Sequence, residues 1–169
     1  MSAADIVVVL RALAVIPVIW AIAADRRDIA LVIFLVAAAS DALDGWLARR
    51  SGRLGARGAF LDPLADKILV LGTLAALSLT PNGWPVVVAT VAIWARELIV
   101  MVPRASAMQR NAAMPADLLG KAKTVLEFAG VALIIFGGRP WSVLGVTLLI
   151  PAFLVGVLTL PRYFRRRLT

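Results

Sequence analysis

Cysteine and histidine are both absent from this 169-residue chain, and tyrosine occurs once. Without cysteine there is no disulfide framework and no thiolate metal site. Without histidine the chain lacks the usual general base near neutral pH and the commonest nitrogen ligand for transition metals. Chemistry here must rest on carboxylates, lysines and arginines, and any bound metal must be a hard, oxygen-seeking cation such as Mg²⁺ or Mn²⁺. Charge is also scarce, at 17% of residues.

What is abundant is apolar surface: 62% of residues are hydrophobic and the mean hydropathy is +0.92. Soluble domains average about 45–50% apolar. The composition therefore predicts an all-α integral membrane protein, with residues 1–169 as a single domain. Six apolar stretches, 6–24, 29–49, 60–80, 84–103, 118–137 and 140–161, each approach the ~20 residues that span a bilayer as a helix. The first lacks the basic flank of a signal peptide, and the spanning pattern continues after it.

The formal net charge is +8, but its distribution argues against nucleic acid. Basic residues gather at the ends of the apolar stretches with few aromatics among them. Arg49, Arg50, Arg53 and Arg57 follow the second stretch. Arg104, Arg110, Lys121 and Lys123 lie around the junction of the fourth and fifth, and Arg162, Arg165, Arg166 and Arg167 follow the sixth. If all six cross, these groups fall on one side, opposite only Arg26, Arg27 and Arg139. The positive-inside rule places that side, with both termini, in the cytoplasm, and such basic loops attract anionic membrane lipids. Trp20, Trp46, Trp84, Trp94 and Trp141 lie mostly near predicted helix ends, as in interfacial belts.

Four aspartates break the apolar pattern. Asp41 and Asp44 sit in the second stretch, and Asp62 and Asp66 open the third. A carboxylate at the bilayer centre costs about 2.5–3.5 kcal/mol on insertion scales, so intramembrane acids are functional sites by default. Spacings of three and four residues put each pair on one helix face. A short connection brings the two helices together, where a pair of divalent cations would neutralise the charges. From residue 29 to Asp41 is about 18 Å of helix, which places the acids in the cytoplasmic half of a ~30 Å core. Simple pairing with Arg49, Arg57 or Lys67 is the alternative, and it leaves the spacing unexplained.

The full segment reads Asp41-x-x-Asp44-Gly45-x-x-Ala48-Arg49, eight residues, then Gly58-x-x-x-Asp62-x-x-x-Asp66. It resembles the signature of the CDP-alcohol phosphatidyltransferase family, with every fixed position present. The resemblance implies a CDP-alcohol phosphotransferase-like bundle of six transmembrane helices in the inner (plasma) membrane, and a homodimer. It implies two Mg²⁺ or Mn²⁺ ions held by Asp41, Asp44, Asp62 and Asp66, with Asp66 also the catalytic base on the acceptor hydroxyl. Gly45 and Ala48 have small side chains that would admit the nucleotide of CDP-diacylglycerol close to the helix. Arg49 would clamp its pyrophosphate, and Gly58 would relieve crowding where the chain enters the next helix.

Further stretches are similar to the branch of that family whose acceptor is sn-glycerol 3-phosphate: residues 61–67, Ala95-Arg96-Glu97, Arg104, Gly120-Lys121-x-Lys123-Thr124, Arg11 and Pro17. The phosphate of that acceptor needs fixed cations, and Arg57, Arg96, Arg104, Arg110, Lys121 and Lys123 are the candidates. Arg96, inside an apolar helix, is expected to face the cavity, paired with an acid or touching the acceptor. Glu127 is expected to pair with Lys123, four residues earlier. Residues 5–10 depart from the stretch common at the family's N-terminus, and residues 98–103 depart from the branch. Rival readings are a family member using phosphatidylglycerol as acceptor, a cation or proton transporter, and a lipid-binding adaptor. The acids cluster on the cytoplasmic side rather than along a path across the membrane, which disfavours transport.

Overall fold

The computed structural model describes the backbone of residues 3–51, 58–81, 83–109 and 118–158, and the side chains of 6–40, 64–81, 83–100 and 119–158. Every regular element among these residues is a helix: α1 (Ala3–Leu13), α2 (Val15–Ala23), α3 (Arg27–Ser51), α4 (Gly58–Ser78), α5 (Trp84–Gln109), α6 (Leu118–Phe136) and α7 (Arg139–Leu158). The six apolar stretches each coincide with a helix, except that the first is divided at Ala14. Proline at position 17 has no N–H to donate to the carbonyl four residues earlier. The chain nevertheless stays helical through the junction. Ala14 N–H donates to the Leu10 carbonyl at 2.9 Å and Val18 N–H to that of Ala14 at 3.2 Å. Together α1 and α2 form one interrupted rod.

Tight turns join α2 to α3 and α6 to α7. After α2 the chain reverses at Asp25, whose φ of 54° is left-handed, a conformation that short polar side chains tolerate better than most. Arg26 N–H closes this turn on the Ala21 carbonyl at 2.8 Å. Between α6 and α7 the same reversal is made by Gly137 and Gly138, with φ of 85° and 77°. These two helices pack closely because Gly130 and Gly145 face each other: a Cβ on Gly145 would lie 2.6 Å from the Gly130 carbonyl oxygen. Small residues allow backbones to approach in this way when apolar side chains gain nothing by leaving lipid.

Helix α4 is the hub, touching α1, α2, α3, α5 and α6. Its buried Leu69, Leu74 and Leu77 join Val18 of α2, Phe34 of α3, Val86 and Ile93 of α5, Ile134 and Ile135 of α6 and Leu149 of α7 in one core. Phe34 and Phe128 meet with ring centroids 5.6 Å apart. Among the described residues α3 and α4 touch little, while α1 and α2 pack against both.

The outside of the bundle is apolar. Leu10, Ile16, Trp20, Val36, Val91, Val125, Val143 and Leu158 are all exposed. Two helical stretches among the described residues are long and apolar enough to cross a bilayer: Ile6–Ala23, with mean hydropathy 2.6, and Arg139–Leu158, with 2.2. Only 28% of each is buried within the bundle. A core helix of a soluble protein would be covered on most sides; these present their apolar faces outward, as lipid requires.

Candidate active site

Asp66 and Lys67 are neighbours on the central helix and point about 100° apart around its axis. Each enters a different buried polar cluster, so α4 links the two.

The first cluster lies between α1, α3 and α4. Arg11 extends from α1 with its side chain fully buried, and its Nη1 donates to Asp66 Oδ1 at 3.1 Å. Its Nε donates to Ser40 Oγ at 3.3 Å. Ser40 in turn donates to the Ala37 carbonyl at 2.8 Å, which leaves its oxygen's lone pairs to accept from Arg11. The Asp66 side chain keeps 20% of its surface accessible.

The second cluster centres on Glu97 of α5. Lys67 of α4, Arg96 of α5 and Lys123 of α6 all contact its carboxylate. Lys123 also reaches Glu127, one helical turn along α6, at 2.9 Å. Arg96 Nη2 donates to the Gly156 carbonyl of α7 at 3.1 Å. The cluster thereby joins four helices through three cations and two carboxylates. Burying such charges is costly unless each is paired, and here each stands in an ion pair.

These placements sort the residues singled out from the sequence. Asp66 is inside, held by Arg11. Arg96 is buried and faces the interior, paired with an acid as one of its two expected roles required. Lys123 is buried with Glu97 and Glu127, whereas Lys121, two residues earlier, is exposed. Asp41, Asp44, Gly45, Ala48 and Arg49 belong to α3, Gly58 and Asp62 to α4, and Arg104 to α5; their side chains lie outside the described residues, as do Arg57 and Arg110 altogether. Among the described residues there is no group of three or more acids that would hold a metal. The donor chemistry of the four aspartates still fits hard divalent cations: all are oxygen donors on two helices. The one described, Asp66, is partly open rather than sealed.

Sequence reasoning gave Arg11 no role in the site, and did not single out Ser40 at all. An arginine within an apolar helix is itself a signal that could have found Arg11, which the sequence named only as a point of likeness to one branch of the family. Ser40 carried no such mark.

Among the described residues, an all-helical bundle with an apolar exterior and inward carboxylates has the make-up of a membrane protein with a polar interior site. A family model described as CDP-alcohol phosphatidyltransferase matches residues 1–158. The chain belongs to that family and is a membrane-bound transferase. Divalent metal ions are typical of the family. The chain is 32% identical over 148 residues to a CDP-diacylglycerol–glycerol-3-phosphate 3-phosphatidyltransferase of Shigella flexneri, covering 86% of this chain and 77% of that one. The protein of the same name from Escherichia coli gives the same identity and coverage. A probable phosphatidylglycerophosphate synthase of Mycobacterium tuberculosis is 37% identical over 144 residues, with 84% and 67% covered.

Proposed function

We propose that this protein transfers the phosphatidyl group of CDP-diacylglycerol to sn-glycerol 3-phosphate, releasing CMP and forming phosphatidylglycerol phosphate. The observation that carries the reading is the complete aspartate motif on α3 and α4, with Asp66 partly open in an otherwise buried polar interior. The names of the relatives favour this acceptor over the phosphatidylglycerol used by a rival branch.

Asp41, Asp44, Asp62 and Asp66 are the residues that would hold two Mg²⁺ or Mn²⁺ ions. Bound there, divalent cations supply charge neutralisation at the pyrophosphate and at the departing CMP oxygen. Asp66 accepts the proton of the attacking hydroxyl, a role that requires hydrogen-bond reach of that proton. Gly45 and Ala48 leave room for the nucleotide beside α3, with Gly58 easing the entry to α4, and Arg49 holds the donor's phosphates. The acceptor phosphate is met by cations drawn from Arg57, Arg96, Arg104, Arg110, Lys121 and Lys123. Of these, Lys121 is the described cation exposed to receive it, while Arg96 and Lys123 are already engaged with carboxylates.

In this reading all six hydrophobic units cross the inner membrane, the interrupted α1–α2 rod counting as one, with both termini and the site towards the cytoplasm. The chain acts as a single domain and as a homodimer. The test is mass spectrometry of the lipid product after incubation with isotopically labelled glycerol 3-phosphate and CDP-diacylglycerol. Label in phosphatidylglycerol phosphate is expected. Label appearing in no lipid, with a product formed from phosphatidylglycerol instead, would move the chain to the rival branch.

A further inference from the structure

We infer that Arg11 is a positioning residue for the reaction, fixing the Asp66 carboxylate relative to the α3 half of the aspartate motif. The inference rests on the reading of Asp66 as the base. Ser40 immediately precedes Asp41, so among the described contacts Arg11 holds Asp66 of the motif on α4 and the residue next to its first aspartate on α3. The guanidinium is planar, with donors in a fixed fork. Holding Ser40 Oγ by Nε at 3.3 Å and Asp66 Oδ1 by Nη1 at 3.1 Å therefore sets the separation and tilt between those two positions.

Three features distinguish this from ordinary helix packing. Helix α1 packs on both α3 and α4, so a side chain on it can span the two. The Arg11 side chain is fully buried, so it acts through Asp66 rather than on substrate. An arginine is also a costly choice for a contact that apolar side chains of α1 and α4 could make alone. Its two directed donors are what an apolar residue would not provide. A base displaced by 1 Å can lose about 10²-fold in rate, so a device that fixes the carboxylate acts on turnover rather than on substrate affinity.

The test uses the full-length protein in lipid nanodiscs, with Arg11→Lys and Ser40→Ala compared with the parent protein. Lysine keeps the charge but offers one ammonium in place of the fork; Ser40→Ala removes one arm and leaves the ion pair. Measured are kcat, KM for each substrate, and the rise in melting temperature on adding CDP-diacylglycerol. For Arg11→Lys, kcat is expected to fall at least tenfold, with both KM values within threefold and the donor-induced thermal rise retained. For Ser40→Ala the expected loss in kcat is at least threefold, with the same retention. If Arg11→Lys keeps kcat within tenfold, or moves KM or the thermal rise beyond those limits, Arg11 is a structural residue and the inference fails. Failure of the parent protein to release CMP would instead overturn the reading on which it rests.

Discussion

Two lysines two residues apart illustrate how much a single position decides. Lys121 and Lys123 are about 200° apart around α6, so one faces outward and the other is buried between Glu97 and Glu127. Lys121→Gln should leave stability within about 0.5 kcal/mol, as surface changes usually do, while raising KM for glycerol 3-phosphate if the lysine meets the acceptor phosphate. Thermal unfolding and initial-rate kinetics on the same preparation check both. Glu97 is the more exacting position. Its carboxylate is the shared counter-ion of Lys67, Arg96 and Lys123. Glu97→Gln leaves those cations facing one another and should destabilise by about 3–5 kcal/mol, the usual cost of breaking a buried pair from one side. A melting temperature unchanged from the parent would contradict the hub. Both lysines were visible as acceptor candidates in the sequence and were given the same role, although helical spacing alone would have set them on opposite faces. The Arg11–Asp66 pair was not visible, because its partners are 55 positions apart and no local spacing relates them. For the same reason Glu97 stood out beside Arg96, but its partners on α4 and α6 did not.

At the level of elements, the helices were largely legible because each apolar stretch is close to twenty residues and is bounded by charged or turn-forming residues. Pro17 was visible too, but the break falls three residues before it, where the helix is one hydrogen bond short. Which helices lie side by side was the harder matter. Joining α3 and α4 by a short connection suggested that they are neighbours, and they do touch; that α1 and α2 pack against both was not legible. Packing of α6 on α7 depends on the absence of side chains at one crossing. Gly145→Ala would place a Cβ against the Gly130 backbone oxygen and against Ile134, at 2.6 and 2.7 Å, and backbone cannot be swung aside as a side-chain tip can. Overpacking of this kind costs about 1–3 kcal/mol. The expected result is a lower melting temperature in nanodiscs for Gly145→Ala; no change would mean that α6 and α7 are less closely packed.

Across the whole molecule, lipid exposure and charge asymmetry set the proposed orientation. The chain lacks cysteine, so single-cysteine reporters can be introduced without background. Leu79 lies just beyond α4 with 88% of its surface exposed, on the side the charge pattern assigns to the exterior; Lys121 lies on the other. A membrane-impermeant maleimide should label Leu79→Cys in intact spheroplasts and Lys121→Cys only after permeabilisation. The reverse pattern would invert the protein, and labelling of both from outside would remove one crossing between them.

The central claim is that the intramembrane aspartates drive release of CMP. It is tested most directly by following CMP formation from CDP-diacylglycerol by the purified protein with glycerol 3-phosphate and Mg²⁺ or Mn²⁺, alongside Asp66→Asn. The parent should release CMP only when both the acceptor and a divalent cation are present, and should stop when the cation is chelated. Asp66→Asn should lose nearly all turnover, by about 10²-fold or more for a general base, while still being stabilised by CDP-diacylglycerol. CMP release that persists in Asp66→Asn, or that needs no acceptor, would contradict the account.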